Sequence, residues 1–263
     1  MAEARNASSR KDLTASSAIA HTGPIMSNVD ELEIKKFEAL AARWWDPTSE
    51  FKPLHEINPL RMGFLTSNTT LAGKRVLDIG CGGGILAEAM ARQGADVVAI
   101  DMAEASLAVA RLHQLESKLD IDYRRIPAEE LAQAESEQYD IVTCLEMLEH
   151  VPDPSAIVAA CYALVKPGGQ VLFSTINRNP KSYLFAIVGA EYILNLLPRG
   201  THEYAKFIRP SELASWSRDA GLTLLEQKGM TYNLLSKRYS LGNDLDVNYL
   251  AYYDKPALKV SGA

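Results

Sequence analysis

Glu146, Glu149 and His150 fall within a single turn, directly after an apolar run that ends at Leu145. Two carboxylates and an imidazole at this spacing can hold a divalent cation, and an oxygen-rich set suits Mg²⁺. Such an ion would grip an aromatic diol and lower its pKa, and phenolate is a far better nucleophile than phenol. Without metal, His150 can take the phenolic proton as general base, since imidazole titrates near neutrality. Glu149 and His150 are therefore the candidate catalytic pair, and Glu146, Glu149 and His150 the candidate metal set. The plainer alternative has Glu146 ordering a loop and His150 packing beneath a cofactor. Asp153, between two prolines, reads as the cap of the next helix.

A second cluster lies upstream. Val76-Leu77-Asp78-Ile79 runs straight into Gly80-Cys81-Gly82-Gly83-Gly84, and Asp101 ends a second apolar strand, Val97-Val98-Ala99-Ile100. Glycines admit a ligand close to the backbone, and a carboxylate at the tip of the next strand can accept from both ribose hydroxyls. The dinucleotide fingerprint would need a third glycine where Ile85 stands. Asp78 would repel a pyrophosphate but favour an ammonium group. S-adenosylmethionine carries an ammonium group and a ribose diol, and it has no phosphate. The residues favour it over NAD, and over a turn that merely reverses the chain. Arg61, a strong cation in the segment before this strand, suits the carboxylate of the methionine end; a solvated surface role is its alternative. Met102 and Ala128, neighbours of Asp101 and Glu129, complete the candidate cofactor set of Arg61, Asp78, Gly80, Gly82, Asp101, Met102, Ala128, Glu129 and Leu145.

Positioning these groups requires an alternating α/β chain. Strands are expected at 75–79, 96–100, 121–125, 139–145 and 170–175, with helices at about 84–93, 104–116 and 154–165. Such alternation implies right-handed crossovers and a parallel sheet. Two late segments, 222–228 and 247–253, are expected to close it as an antiparallel pair. The fold class is thus α/β, a doubly wound, mostly parallel seven-stranded sheet. Its carboxyl edge would gather Gly80, Asp101, Glu129, Leu145, Glu146 and Asn177 around one cleft. Upstream, Asp30 is expected to cap an amphipathic helix with Glu33 completing a capping box, and Ile34, Phe37, Leu40, Ala41 and Trp44 form its apolar stripe. Trp44 and Trp45 read as core or as the wall of an aromatic pocket. Residues 51–61, with Pro53 and Pro59, are expected to be an ordered loop leading into another helix.

The fifth strand is followed by an apolar helical insertion, 178–210. Leu184 to Leu197 carries one charge in fourteen residues, too short for the roughly twenty that span a bilayer. Its two readings are a buried core helix and a lid touching lipid or an isoprenoid tail, with basic flanks at Lys181, Arg199, His202 and Lys206.

The chain of 263 residues is 47% hydrophobic and 23% charged, enough for one full domain. Its net charge of −6 argues against a nucleic-acid partner. Cys81, Cys144 and Cys161 have no CxxC spacing, so a disulfide framework is not expected and a reducing compartment is. Residues 1–27, rich in Ala and Ser, are expected to be a disordered tail; Glu3 and Asp12 disfavour a mitochondrial presequence. The domain is then 28–255, with 256–263 a second tail.

Arg43-Trp44-Trp45-Asp46, Phe51-Lys52-Pro53-Leu54-His55, Ile57-Asn58-Pro59-Leu60-Arg61, Cys144 to Pro154, Asn177-Arg178-Asn179 and Val188-Gly189-Ala190-Glu191-Tyr192 appear in order with the glycine motif. The chain resembles the ubiquinone biosynthesis O-methyltransferases from about residue 28 to 254. The glycine motif is shared by class I methyltransferases generally; the other blocks are more particular. The resemblance implies O-methylation of polyprenyl catechol and hydroquinone hydroxyls at two steps, with Arg61, Gly80, Asp101 and Leu145 contacting S-adenosylmethionine. It implies that Glu146, Glu149 and His150 match Mg²⁺-binding positions of eukaryotic relatives, with bacterial members not bound to depend on the ion. It also implies a cytoplasmic enzyme attached peripherally to the inner membrane through 181–200, in the company of other ubiquinone-biosynthesis proteins. C-methylation of a quinone precursor and a lipid- or cofactor-binding module without turnover are the alternatives.

Overall fold

A computed structural model of the chain describes residues 28–183 and 204–257. The expected tail 1–27, the apolar run 184–197 with Arg199 and His202, and the last six residues lie outside them. Helix α1 (Glu31–Leu40) is followed by a 3₁₀ turn, and α2 spans Lys52–Asn68. The alternation then runs β1 (Arg75–Ile79), α3 (Ile85–Arg92), β2 (Asp96–Ile100), α4 (Glu104–Ser117), β3 (Ile121–Arg124), α5 (Ala128–Ala134), β4 (Tyr139–Leu145), α6 (Pro154–Leu164) and β5 (Val165–Ile176). A short α7 (Pro180–Ser182), α8 (Pro210–Ala220) and strands β6 (Thr223–Asn233), β7 (Arg238–Gly242) and β8 (Asn248–Asp254) complete it.

One sheet holds all the described strands, in the order β3-β2-β1-β4-β5-β8-β6-β7. β1 to β5 pair in parallel, and β8, β6 and β7 add antiparallel. The α/β class stands, with eight strands where seven were expected. The extra strand, β7, folds back on β6 as a hairpin with Tyr232 opposite Tyr239. β1, β2 and β4 are buried on both faces, as a covered parallel sheet requires, while the edge strand β3 alternates. On one face Leu77, Ile79 and Val98 pack with Ile157 and Leu164 of α6; on the other Val76, Val97 and Ala99 pack with Phe64, Met90 and Leu107. Asp78 follows the parity of Val76, so its carboxyl emerges on the α2 side.

Residues 52–61 are helix rather than the expected loop, continuous through Asn68 with the helix expected to follow. Pro53 occupies the first turn, where its missing N–H costs nothing. Pro59 lies inside the helix and removes one backbone bond. Burial of Ile57, Arg61, Phe64 and Leu65 on one face outweighs that loss.

Candidate active site

β1 and β4 are neighbours while their connections lead to opposite sides, so a crevice opens at their carboxyl ends. A cavity of about 400 Å³ occupies it. Arg61, Asp78, Gly80, Gly82, Asp101, Met102, Ala128, Glu129 and Leu145 all line it, as do Glu146, Glu149 and His150. Asn177 does not; its amide turns away to donate to the Leu245 carbonyl at 2.9 Å.

At the glycine end, Asp101 Oδ2 accepts from Gly82 N and Oδ1 from Ala103 N, both at 2.8 Å. Each oxygen keeps a lone pair for a diol. Burial pushes the Asp101 carboxyl up, and the backbone donors oppose it. Asp78 Oδ1 accepts from Thr143 Oγ1 at 2.7 Å, while Oδ2 is buried with no partner. Burial lifts Asp78 to about 7, against the pull of Thr143 and Arg61. A buried acceptor left open in this way fits an ammonium donor. The loop glycines serve a neighbour: a Cβ on Gly82 (φ 52°) or Gly83 would sit 2.1–2.2 Å from the Trp44 ring. Trp44 itself stacks on Phe51 at 4.0 Å and lines the cavity, while Trp45 stacks on His113 and donates to Gly83 O at 2.9 Å. Cys81 is buried, and burial pushes its thiol well up, so it is no nucleophile.

At the other end the three expected metal ligands do not converge. Glu146, held at φ 47°, accepts from Arg61 at Oε2 and from Ser174 Oγ at 2.6 Å and Asn248 Nδ2 at 3.1 Å at Oε1. Glu149 is buried, accepts from Thr175 Oγ1 at 2.8 Å, and is pushed up by burial. His150 Nδ1 donates to Glu33 Oε2 at 2.9 Å. Among the described residues no group of three such side chains is placed to hold a metal ion. Mg²⁺ does not fit this donor set without breaking the Arg61–Glu146 pair.

Glu33, Thr143, Ser174 and Asn248 were absent from the expected site. Asp30 does cap α1, accepting from Leu32 N and Glu33 N, but Glu33 forms no capping box because its carboxylate is turned to His150 and Lys36. Asp153 caps α6 as expected. Lys181 is paired with Asp244 and Asp246, and Lys206 with Asp30 and Glu33, so two of the four basic flanks expected at lipid headgroups are committed to carboxylates.

The family model described as a methyltransferase domain matches residues 55–227. The ubiquinone biosynthesis O-methyltransferase of Pseudomonas syringae pv. tomato is 68% identical over 225 residues, covering 86% of this chain and 97% of the relative. That of Pseudomonas fluorescens gives the same figures. The chain belongs to this family. As a ubiquinone biosynthesis O-methyltransferase by family, it is a methyltransferase with the S-adenosylmethionine-dependent class I fold. The magnesium protoporphyrin IX methyltransferase of Synechocystis, solved with S-adenosylhomocysteine, superposes with TM-score 0.62 at 18% identity, covering 83% of this chain and 94% of that one. The cyclase SpnF also superposes, at 0.55 and 16%, over 75% of this chain and 81% of its own. At such identities the likeness shows the fold alone, and the chemistry must come from the site.

Proposed function

We propose that this chain transfers the methyl group of S-adenosylmethionine to phenolic hydroxyls of polyprenyl catechol and demethylubiquinol intermediates, at both O-methylation steps of ubiquinone assembly. Its kinship with ubiquinone biosynthesis O-methyltransferases supports the pathway and the oxygen acceptor. The observation that carries the chemistry is one cavity lined by the open carboxylate of Asp78 and by the imidazole of His150. Asp78 is assigned to the methionine ammonium and Arg61, whose Nε lacks a protein partner, to its carboxylate. Asp101 takes the ribose diol, with Met102, Ala128, Glu129 and Leu145 around the adenosine. Bound S-adenosylmethionine supplies an electrophilic methyl, and the S–C bonding pair returns to sulfur as the O–C bond forms. His150 removes the phenolic proton through Nε2, and Glu149, the second candidate catalytic residue, lies beside it in the same cavity. Phe37, Leu40 and Trp44 wall the cavity and keep water from the aromatic ring.

A polyprenyl tail keeps the acceptor in a bilayer, so the proposal includes peripheral contact with the inner membrane. The composition of 184–197 supports that contact. Among the described residues no helix is long and apolar enough to cross a membrane. The test is incubation of the full chain with S-adenosylmethionine and a short-chain demethylubiquinol analogue, the product read by mass spectrometry and NMR. A methyl ether supports the reading; a ring C-methyl, or no product, overturns it.

A further inference from the structure

The contact between Glu33 and His150 joins residues 117 apart in sequence, from a helix that belongs to no βα unit. Glu33 is 5% exposed, and a carboxylate so placed needs partners. It has His150 Nδ1 at 2.9 Å, Lys36 Nζ at 2.8 Å and Lys206 Nζ at 3.5 Å. The two ammonium groups beside Oε1 favour the ionised form of Glu33. An ionised carboxylate can only accept, so Nδ1 must carry the hydrogen. In the neutral ring the lone pair then falls on Nε2, the nitrogen that must receive a proton from the acceptor. Phe37, one helical turn beyond Glu33, meets the imidazole edge-on at 5.2 Å. Through these two side chains α1 sets both the tautomer and the plane of the ring. Besides Glu33, the charged groups facing this corner are Lys36 and Asp30 of α1, Lys206 of the 204–206 turn, and Glu149 beside His150.

We propose that Glu33 is a positioning residue for methyl transfer: it locks His150 in the Nδ1–H tautomer with Nε2 directed at the acceptor hydroxyl. The base is thus completed by a helix lying outside the sheet that forms the cofactor site. The proposal rests on the reading of His150 as the base in "Proposed function".

The test uses the full chain and the variants Glu33→Gln, Glu33→Ala and His150→Ala. Calorimetry with S-adenosylhomocysteine and thermal melting check that each is folded. Glu33→Ala is expected to lower kcat about 10- to 100-fold with the KM for S-adenosylmethionine unchanged, as loss of an orienting partner does. Glu33→Gln, whose amide oxygen can still accept, is expected to lose less. Added formate or acetate should restore part of the Glu33→Ala rate by filling the vacated space. ¹⁵N shifts of the imidazole should report Nδ1–H in the native chain and a mixture dominated by Nε2–H in Glu33→Ala. A folded Glu33→Ala with native kcat, or one whose His150 tautomer is unchanged, overturns the proposal. So does a loss confined to the acceptor KM, which would make Glu33 a substrate contact. Native turnover in His150→Ala would instead overturn the base assignment beneath it, and the methyl ether assay remains separate from both.

Discussion

The two ends of the cavity are built on different principles. At the cofactor end Gly82 and Asp101 meet across 19 residues of sequence, within one βαβ unit. At the acceptor end His150 meets Glu33 across 117 residues and Glu146 meets Asn248 across 102, while Arg61, assigned to the cofactor carboxylate, bridges to that end by meeting Glu146 across 85. The first end is a local device that strand, turn and strand assemble together. The second depends on α1, α2, β4, β5 and β8 arriving correctly, and its charges are already paired among themselves. One end is made to receive a charged ligand; the other is made to hold one imidazole in place.

His150→Ala breaks the division most sharply. We expect kcat to fall about 10³-fold, the scale of a lost general base, while calorimetric affinity for S-adenosylhomocysteine stays within twofold. A parallel loss of affinity would show that the ends are not separable.

Glu146→Ala should strike the acceptor end through stability. It leaves the nearly buried Arg61 guanidinium without its carboxylate, and removal of one partner of a buried pair costs about 3 kcal/mol. A fall in denaturation midpoint checks this; a near-native midpoint would mean water replaces the carboxylate freely.

Asp78 tests the cofactor end by pH. Its carboxyl is raised to about 7, so below that pH it is protonated in the free protein and must lose the proton to meet an ammonium. Affinity for S-adenosylhomocysteine should therefore rise up to about tenfold per unit as pH approaches 7 from below, then level. The binding enthalpy should depend on buffer ionisation below pH 7. Asp78→Asn should remove the dependence and weaken binding about 30-fold at pH 8, near 2 kcal/mol for a charge-assisted bond. The smallest expected effect is that of a chelator. With Glu146 committed to Arg61, Ser174 and Asn248, EDTA should leave turnover within twofold, and a Mg²⁺-dependent rate would show that the trio rearranges.

The same division governs what could be read from the sequence. β1, β2 and β4 begin and end at the expected residues, and their mainly apolar runs stop at Gly80, Asp101 and Glu146. Every expected cofactor residue reaches the cavity; parity and the carboxyl-edge rule place all of them but Arg61, which arrives on α2. The short α5, the helix α8 and the strand β7, Arg-Tyr-Ser-Leu-Gly, were not foreseen. α5 spans two turns, and β7 gains its identity only by pairing with β6. The prolines of 51–61 pointed to a loop because the buried face that holds α2 together is a tertiary fact. Glu33 carried one legible signal: it lies four residues before Phe37, so it shares the face of the apolar stripe, where a solvated capping residue would be out of place. Ser174 and Asn248 carried none, because only the pairings of β4 with β5 and of β5 with β8 bring them to Glu146.

The Trp44 ring lies against Gly82 and Gly83 with no room for even a methyl group between them. Any adjustment of that turn as a ligand enters must displace the indole or alter its surroundings. The molecule thus carries its own optical reporter: ultraviolet emission from Trp44 should follow occupancy of the glycine turn in real time, without dye or label.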